Sequence, residues 1–229
     1  MTNHRMPASA DRVDTSPRDS FPAGDRPSWT HAGDRAQVHV AESRRVAVPP
    51  LSSVDHVRGD PQAQRVLIEY GDYQCPYCAL AEPVVVEVLR RHNRGLLQAF
   101  RHFPLEAIHP MAKPAAETAE FAGAHGDFWS MHGALMAHSS TLSLPVIFNL
   151  SALLGLSAAR LRDALSGGAC AAKVRRDFAM GLQGGVRGTP TFFIDGELYE
   201  GPVTADGLNA ALDRPAGLVI GSPTITIRT

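Results

Sequence analysis

The chain has 229 residues, 44% of them hydrophobic, which is enough for one sizeable core or for one domain with an insertion. Its 22 Lys and Arg against 23 Asp and Glu leave a formal charge of −1, with no basic stripe, so a nucleic-acid partner is not expected. No stretch approaches the ~18 apolar residues of a membrane span, so no membrane partner is expected either. Three cysteines are too few for a secreted disulfide scaffold.

Residues 1–55 are rich in Asp, Arg, Ser, Pro and Gly and are expected to form a disordered arm, with a partner-binding segment around Trp29 as the alternative. A secretory signal needs a basic start followed by roughly 7–15 apolar residues. Here the nearest run, Val46 to Leu51, is broken by Pro49 and Pro50. The expected compartment is therefore the cytoplasm, where disulfides are mostly transient and catalytic.

Regular order is expected from about Pro61. Arg65 to Tyr70 is an apolar, β-forming run and reads as a buried strand. A turn at Gly71 to Gln74 leads into Cys75-Pro76-Tyr77-Cys78. Ala79 to His92 is helical in pattern, with Leu80, Val84, Val88 and Leu89 on one side, and Gly95 ends it. Leu96 to Phe103 reads as a second strand. Strand, helix, strand predicts a right-handed parallel crossover.

Residues 106–182 carry only helical signals. Phe128, Met131 and Leu135 recur at helical spacing; Pro145 marks a helix start and Gly155 an end; Ser157 is a candidate cap. Cys170, Val174 and Phe178 follow at intervals of four. After Gly184-Gly185, Thr191 to Asp195 and Glu197 to Tyr199 form a predicted hairpin about Asp195-Gly196. Thr204 caps a last helix ending at Leu212. The segment 214–229, with Ile225 and Ile227, is a tail.

The chemistry concentrates in the cysteine motif. If the motif opens a helix, the first cysteine meets unpaired N–H groups and the positive end of the dipole, which favour its thiolate. Cys75 then reads as the nucleophile and Cys78, one turn on, as the resolving thiol. Pro76 suits the first helical position, which needs no N–H. A Cys-x-x-Cys pair is also half of a zinc site, but zinc wants two further ligands at close spacing. Cys170 is distant, and the ten histidines supply no matching pair. No metal and no cofactor is expected.

With these residues in place, the sequence resembles the thioredoxin superfamily, and within it the DsbA-like branch. CPYC follows a core strand and opens a helix. Pro83 lies five residues past Cys78, where such helices carry a proline. Gly188-Thr189-Pro190 precedes a hairpin, as the family's cis-proline loop does. A helical segment separates the two halves. The resemblance implies a thioredoxin-like α/β fold: a central mixed sheet flanked by helices, built from 56–105 and 183–213, with an all-helical insertion at 106–182. It implies a cis peptide bond at Pro190 beside Cys75, where the backbone can pair with an incoming peptide. It also implies that Glu69, six residues before Cys75, is a buried acid exchanging a proton with Cys78.

The implied activity is thiol–disulfide exchange on protein or small-molecule substrates, with a redox partner that the residues do not identify. The Pro76-Tyr77 dipeptide is familiar from glutaredoxins, and the direction of electron flow stays open. A redox-regulated binding or sensor module without turnover is the alternative. Kappa-type glutathione transferases use the fold with one serine in place of two cysteines, so CPYC speaks against them. Cys170 reads as a packing residue, His109-Pro110 as a helix start, and Phe128 and Trp129 as insertion core. His132 receives no role.

Overall fold

The computed structural model describes Val48 and residues 50–215. The expected arm before Val48, including Trp29, and the tail beyond residue 215 lie outside the described residues. Among the described residues there are five strands and seven α-helices. In chain order they are β1 (His56–Gly59), β2 (Arg65–Gly71), α1 (Pro76–His92), β3 (Leu96–His102), α2 (Ala112–Gly123) and α3 (Phe128–Ala137). There follow α4 (Leu144–Leu153), α5 (Ala158–Gly167), α6 (Ala171–Gln183), β4 (Thr191–Ile194), β5 (Glu197–Tyr199) and α7 (Ala205–Leu212). No helix among them is long and apolar enough to cross a membrane.

The strands form one mixed sheet in the order β1-β3-β2-β4-β5. β2 and β3 are parallel across α1, as the strand–helix–strand pattern predicts. The β4–β5 hairpin turns through Asp195 and Gly196, both at positive φ. The Ser157 and Thr204 side chains accept from the backbone N–H of Arg160 and Gly207, capping α5 and α7 as expected. The early strand β1 was not anticipated. It pairs antiparallel with β3, and its four residues carry no alternating pattern of their own.

Side-chain alternation along the strands decides what each face does. Leu67 and Leu96 pack with Ala81, Val85 and Val88 of α1 and with Leu208 of α7. Ile68, Tyr70, Ala99, Phe103 and Phe193 form the opposite face, where Val48 and Phe178 join them. Glu69 shares the period of Leu67 and so lies on the α1 side. Arg101, fully buried on the other side, is bound by Asp55 through two bonds of 2.9 Å, by the Tyr70 hydroxyl and by the Pro50 carbonyl. Val48 and Asp55 are thus buried against the sheet, because a buried guanidinium needs a carboxylate and carbonyls near it.

Two helical patterns resolve differently from expectation. In α1 the buried face is Cys78, Ala81, Val85 and Val88, while Leu80 is 69% exposed. The helix begins at Pro76, so its inward stripe is set by where Cys78 must sit. Cys170 lies one residue before α6 and is half-buried. Val174 joins the insertion's apolar cluster, whereas Phe178 stacks on Phe103 at 4.5 Å beneath the sheet. The apparent row of residues 170, 174 and 178 is split between two cores.

The close approach of β2 to β3 at the end of the crossover requires Gly71. A Cβ there would lie 2.4 Å from Cε2 of the buried Phe100 ring. Gly71→Ala is expected to lower stability by about 1–3 kcal/mol, the usual cost of overpacking. Urea denaturation reads this as a lower midpoint with an unchanged slope.

Candidate active site

Everything that touches the cysteine pair hangs on the end of β2 and the start of α1. After Gly71 the chain turns through Asp72. The Asp72 Oδ1 accepts from the Gln74 N–H at 2.8 Å, and its backbone carbonyl accepts from the Cys75 N–H at 3.1 Å. Its Oδ2 accepts from the Leu105 N–H at 2.9 Å and from His109 Nδ1 at 2.7 Å. A carboxylate only accepts, so His109 carries its proton on Nδ1. Asp72 therefore ties the turn before the motif to the loop after β3. Gln74 adds a second tie by accepting from the Met111 N–H at 2.6 Å. His109 stands at the entry to α2, where its carbonyl accepts from the Ala112 N–H, and through Asp72 it also borders the site.

Cys75 is the N-cap of α1, in extended conformation at φ −76° and ψ 120°, with Pro76 as the first helical residue. Cys75 is 3% exposed, and its Sγ lies 3.3 Å from the Thr189 carbonyl, to which the protonated thiol donates. Thr189–Pro190 is a cis peptide bond, as the resemblance implies. Gly188 supplies the carbonyl that accepts from the Thr191 hydroxyl at 2.7 Å, and a side chain at Gly188 would meet open space. Tyr77, 68% exposed, stands outward beside the pair. Pro83 lies within α1.

The two thiols are electrostatically unlike. A hydrogen bond from the Cys78 thiol, joined by contacts at Thr189 and by N–H groups at the helix start, outweighs burial and holds Cys75 down at about 5. Cys78 is fully buried, and burial, the bond to Cys75 and the charge of Glu69 push its thiol far up. The Asp72 N–H, 3.4 Å from its Sγ, works weakly in the other direction.

Glu69 lies on the central strand with no exposure, not on a wet sheet edge. Its Oε2 accepts from Gln98 Nε2 at 3.0 Å, and its Oε1 has no hydrogen-bond partner among the described residues. Burial, with the Glu82 charge adding to it, pushes its carboxyl up to about 8. Arg58 and Gln98 pull against that.

Several polar residues here carry no local sequence signal. Arg58 grips Glu82, which bonds His132, which bonds Tyr73. His132 is completely buried and its partners are 50 and 59 residues away, so spacing could not reveal it. Asp72 was findable, since Gly-Asp before a helix is an Asx-turn signal. The insertion covers this layer: Tyr73, Cys75, Cys78 and Phe100 share one apolar cluster with Phe128 and Met131 of α3. Trp129 packs against the same cluster. Among the described residues no three His, Cys, Asp or Glu side chains are arranged to hold a metal ion.

A family model described as Thioredoxin matches residues 52–214. The chain belongs to the thioredoxin family. Solved structures share this thioredoxin-like fold. A thioredoxin-like oxidoreductase from Silicibacter pomeroyi is 24% identical with TM-score 0.64, covering 74% of this chain and 95% of that one. Oxidised BdbD from Bacillus subtilis is 16% identical with TM-score 0.63, covering 73% and 96%. The α-DsbA1 of Wolbachia pipientis is 22% identical with TM-score 0.62, covering 72% and 91%. Among curated proteins, Na(+)/H(+) antiporter NhaA 3 of Salinispora tropica is 38% identical over 165 residues, 72% of this chain and 25% of that protein. NhaA 1 of Salinispora arenicola is 39% identical over the same length and shares. The chain thus spans about a quarter of the length of these relatives.

Proposed function

We propose that the protein is a thiol–disulfide oxidoreductase in which Cys75 is the nucleophile and Cys78 resolves, acting on protein or small-molecule thiols and disulfides. The observation that carries this reading is the placing of the pair: Cys75 caps the start of α1, 3.3 Å from the carbonyl of the cis Thr189–Pro190 bond, and Cys78 lies one turn on with no exposure; the thiol of the first is held down at about 5 and that of the second pushed far up. In the reducing direction the Cys75 thiolate attacks a substrate disulfide, forming a mixed disulfide and releasing one substrate thiolate. Cys78 then passes its proton to Glu69 and attacks Cys75 Sγ. The second substrate thiolate leaves, two electrons have reached the substrate, and the pair is a disulfide. The oxidising direction is the reverse. A substrate thiolate attacks Cys75, and Cys78 leaves taking a proton from Glu69. A second substrate thiolate then displaces Cys75.

The low position of Cys75 favours the second direction. A thiol that is mostly thiolate at pH 7 is a good leaving group and stabilises the reduced pair, raising the potential by some tens of millivolts. The Thr189 carbonyl lies 3.3 Å from Cys75 Sγ, which supports a role for it in accepting from an extended substrate backbone. The test is equilibration with glutathione buffers. One two-electron transition, above about −230 mV, is expected. A pair that stays reduced or oxidised across the whole range would overturn the assignment.

A second reading has one observation behind it. The curated relatives carry their matching segment within much longer proteins named antiporters. A module of this kind could report redox state to an attached or neighbouring protein without turnover. Negligible exchange rates together with redox-dependent binding would favour it.

A further inference from the structure

The steps above leave a chain of buried and half-buried polar contacts unused. Gln98 of β3 stands beside Glu69 on the α1 side of the sheet. Arg58 Nε donates to Gln98 Oε1 at 2.6 Å. A guanidinium only donates, so it must face the amide oxygen. The amide NH₂ is thereby turned to Oε2 of Glu69, 3.0 Å away. A flipped amide would set N–H against N–H at Arg58.

Arg58 itself is held. Its terminal nitrogens donate to both oxygens of Glu82 at 2.9 Å each, the fork geometry that fixes a guanidinium best. Its guanidinium also lies 4.3 Å from the centre of the Trp129 ring, whose indole N–H donates to the Val57 carbonyl. Glu82 accepts in turn from His132 Nε2 at 3.1 Å, leaving His132 Nδ1 to accept from the Tyr73 hydroxyl at 3.1 Å. Strand β1, helix α1 and the insertion thus converge on one guanidinium.

We propose that Arg58 is a positioning residue for the proton on Glu69: by locking the Gln98 amide it commits Oε2 to accepting and leaves Oε1 as the oxygen that takes and returns the proton. The inference rests on the reading of Glu69 as proton carrier for Cys78. Oε1 is buried and has no hydrogen-bond partner among the described residues, which suits a site that must gain and lose a proton without first breaking another bond. The charged and titratable groups acting on Glu69 are Glu82 and Cys78 from α1, Tyr73 from the preceding turn and Arg58 from β1. Of these, Arg58 is the one whose charge favours the carboxylate. Its loss removes that charge and frees the amide to turn its oxygen toward a protonated carboxyl. Both effects favour the protonated form.

The test is a carboxyl ¹³C NMR titration of Glu69 in the full chain, assigned with Glu69→Gln, beside the rate of the resolving step. In Arg58→Met the Glu69 midpoint is expected to rise from about 8 by one pH unit or more, with resolution about tenfold slower at pH 7. The alkylation midpoint of Cys75, near 5, is expected not to move. Arg58→Lys is expected to restore most of the wild-type midpoint. Gln98→Met leaves the Arg58–Glu82 pair intact and removes the donor to Oε2, so it is expected to raise the midpoint as well. It decides the matter by itself if Arg58→Met does not fold. An unmoved Glu69 midpoint in Gln98→Met, or in folded Arg58→Met, overturns the inference. The titration needs no turnover, so it is read separately from any failure of the exchange activity.

Discussion

Cys75→Ser is expected to lower the exchange rate by at least about a thousandfold, while Cys78→Ser is expected to attack substrate normally and then stall. The difference follows from where each sulfur sits. The Cys75 Sγ lies at the start of α1 beside the Thr189 carbonyl and is thiolate at neutral pH; a serine hydroxyl there stays protonated and attacks nothing. Cys78 is sealed behind it, so its loss leaves the first attack intact and blocks only the second. The low position of Cys75 is not in itself a rate advantage. It raises the thiolate fraction at pH 7 by about thirtyfold over an ordinary thiol, and the weaker nucleophilicity of a less basic sulfur takes back a similar factor. What it changes is departure, because Cys75 is easily displaced once a second thiolate arrives. Mass spectrometry after reaction with a disulfide peptide is the check. Cys78→Ser should carry one covalently held peptide, released by reductant, and Cys75→Ser none. Equal, undiminished turnover in both variants would show that the pair is not the reaction centre.

Glu69→Gln is expected to stabilise the fold and slow the reaction together. The carboxyl is held at about 8 in the folded chain against an ordinary 4.5. Below about pH 4.5 it is protonated both folded and unfolded, and the substitution changes little. As pH rises from 4.5 toward 8 the unfolded chain ionises and the folded one does not, so the wild-type protein loses stability that the glutamine variant keeps. The gap reaches up to about 3 kcal/mol at pH 7 and about 5 kcal/mol above pH 8. Urea denaturation at pH 4, 7 and 9 measures it, and a gap that fails to widen with pH would refute the buried-acid account. Over the same range the variant lacks an acceptor for the Cys78 proton, so mixed disulfide should accumulate as it does in Cys78→Ser. A residue that costs stability and speeds chemistry is what a buried proton carrier is expected to be.

The legibility of the chain divides by the range of the interactions involved. The β2–α1–β3 crossover, the β4–β5 hairpin and the caps at Ser157 and Thr204 were readable because periodicity, turn chemistry and capping act over a few residues. The same locality misled at α1 and at Cys170. Helical spacing states which residues share a stripe but not which stripe is turned inward. Leu80 came out exposed because the inward stripe belongs to Cys78, Ala81 and Val85. The strand β1 and the packing of Val48 and Asp55 were invisible for a related reason. They are held by β3 and Arg101, far along the chain.

The cysteine pair from which the function is read needed nothing beyond the sequence. Two thiols three residues apart after a strand, with a proline between them and Thr189-Pro190 before a later hairpin, together carry the resemblance to the thioredoxin superfamily, and that combination points to thiol–disulfide chemistry. The tertiary structure decided what surrounds them. It set Glu69 on the central strand and turned it to the α1 side, ran Gln98, Arg58 and Glu82 beside it, and closed the layer with His132 from the insertion. Those contacts join residues up to fifty positions apart, and burial, which pushes Glu69 up, is a property of the assembled core that no single segment carries.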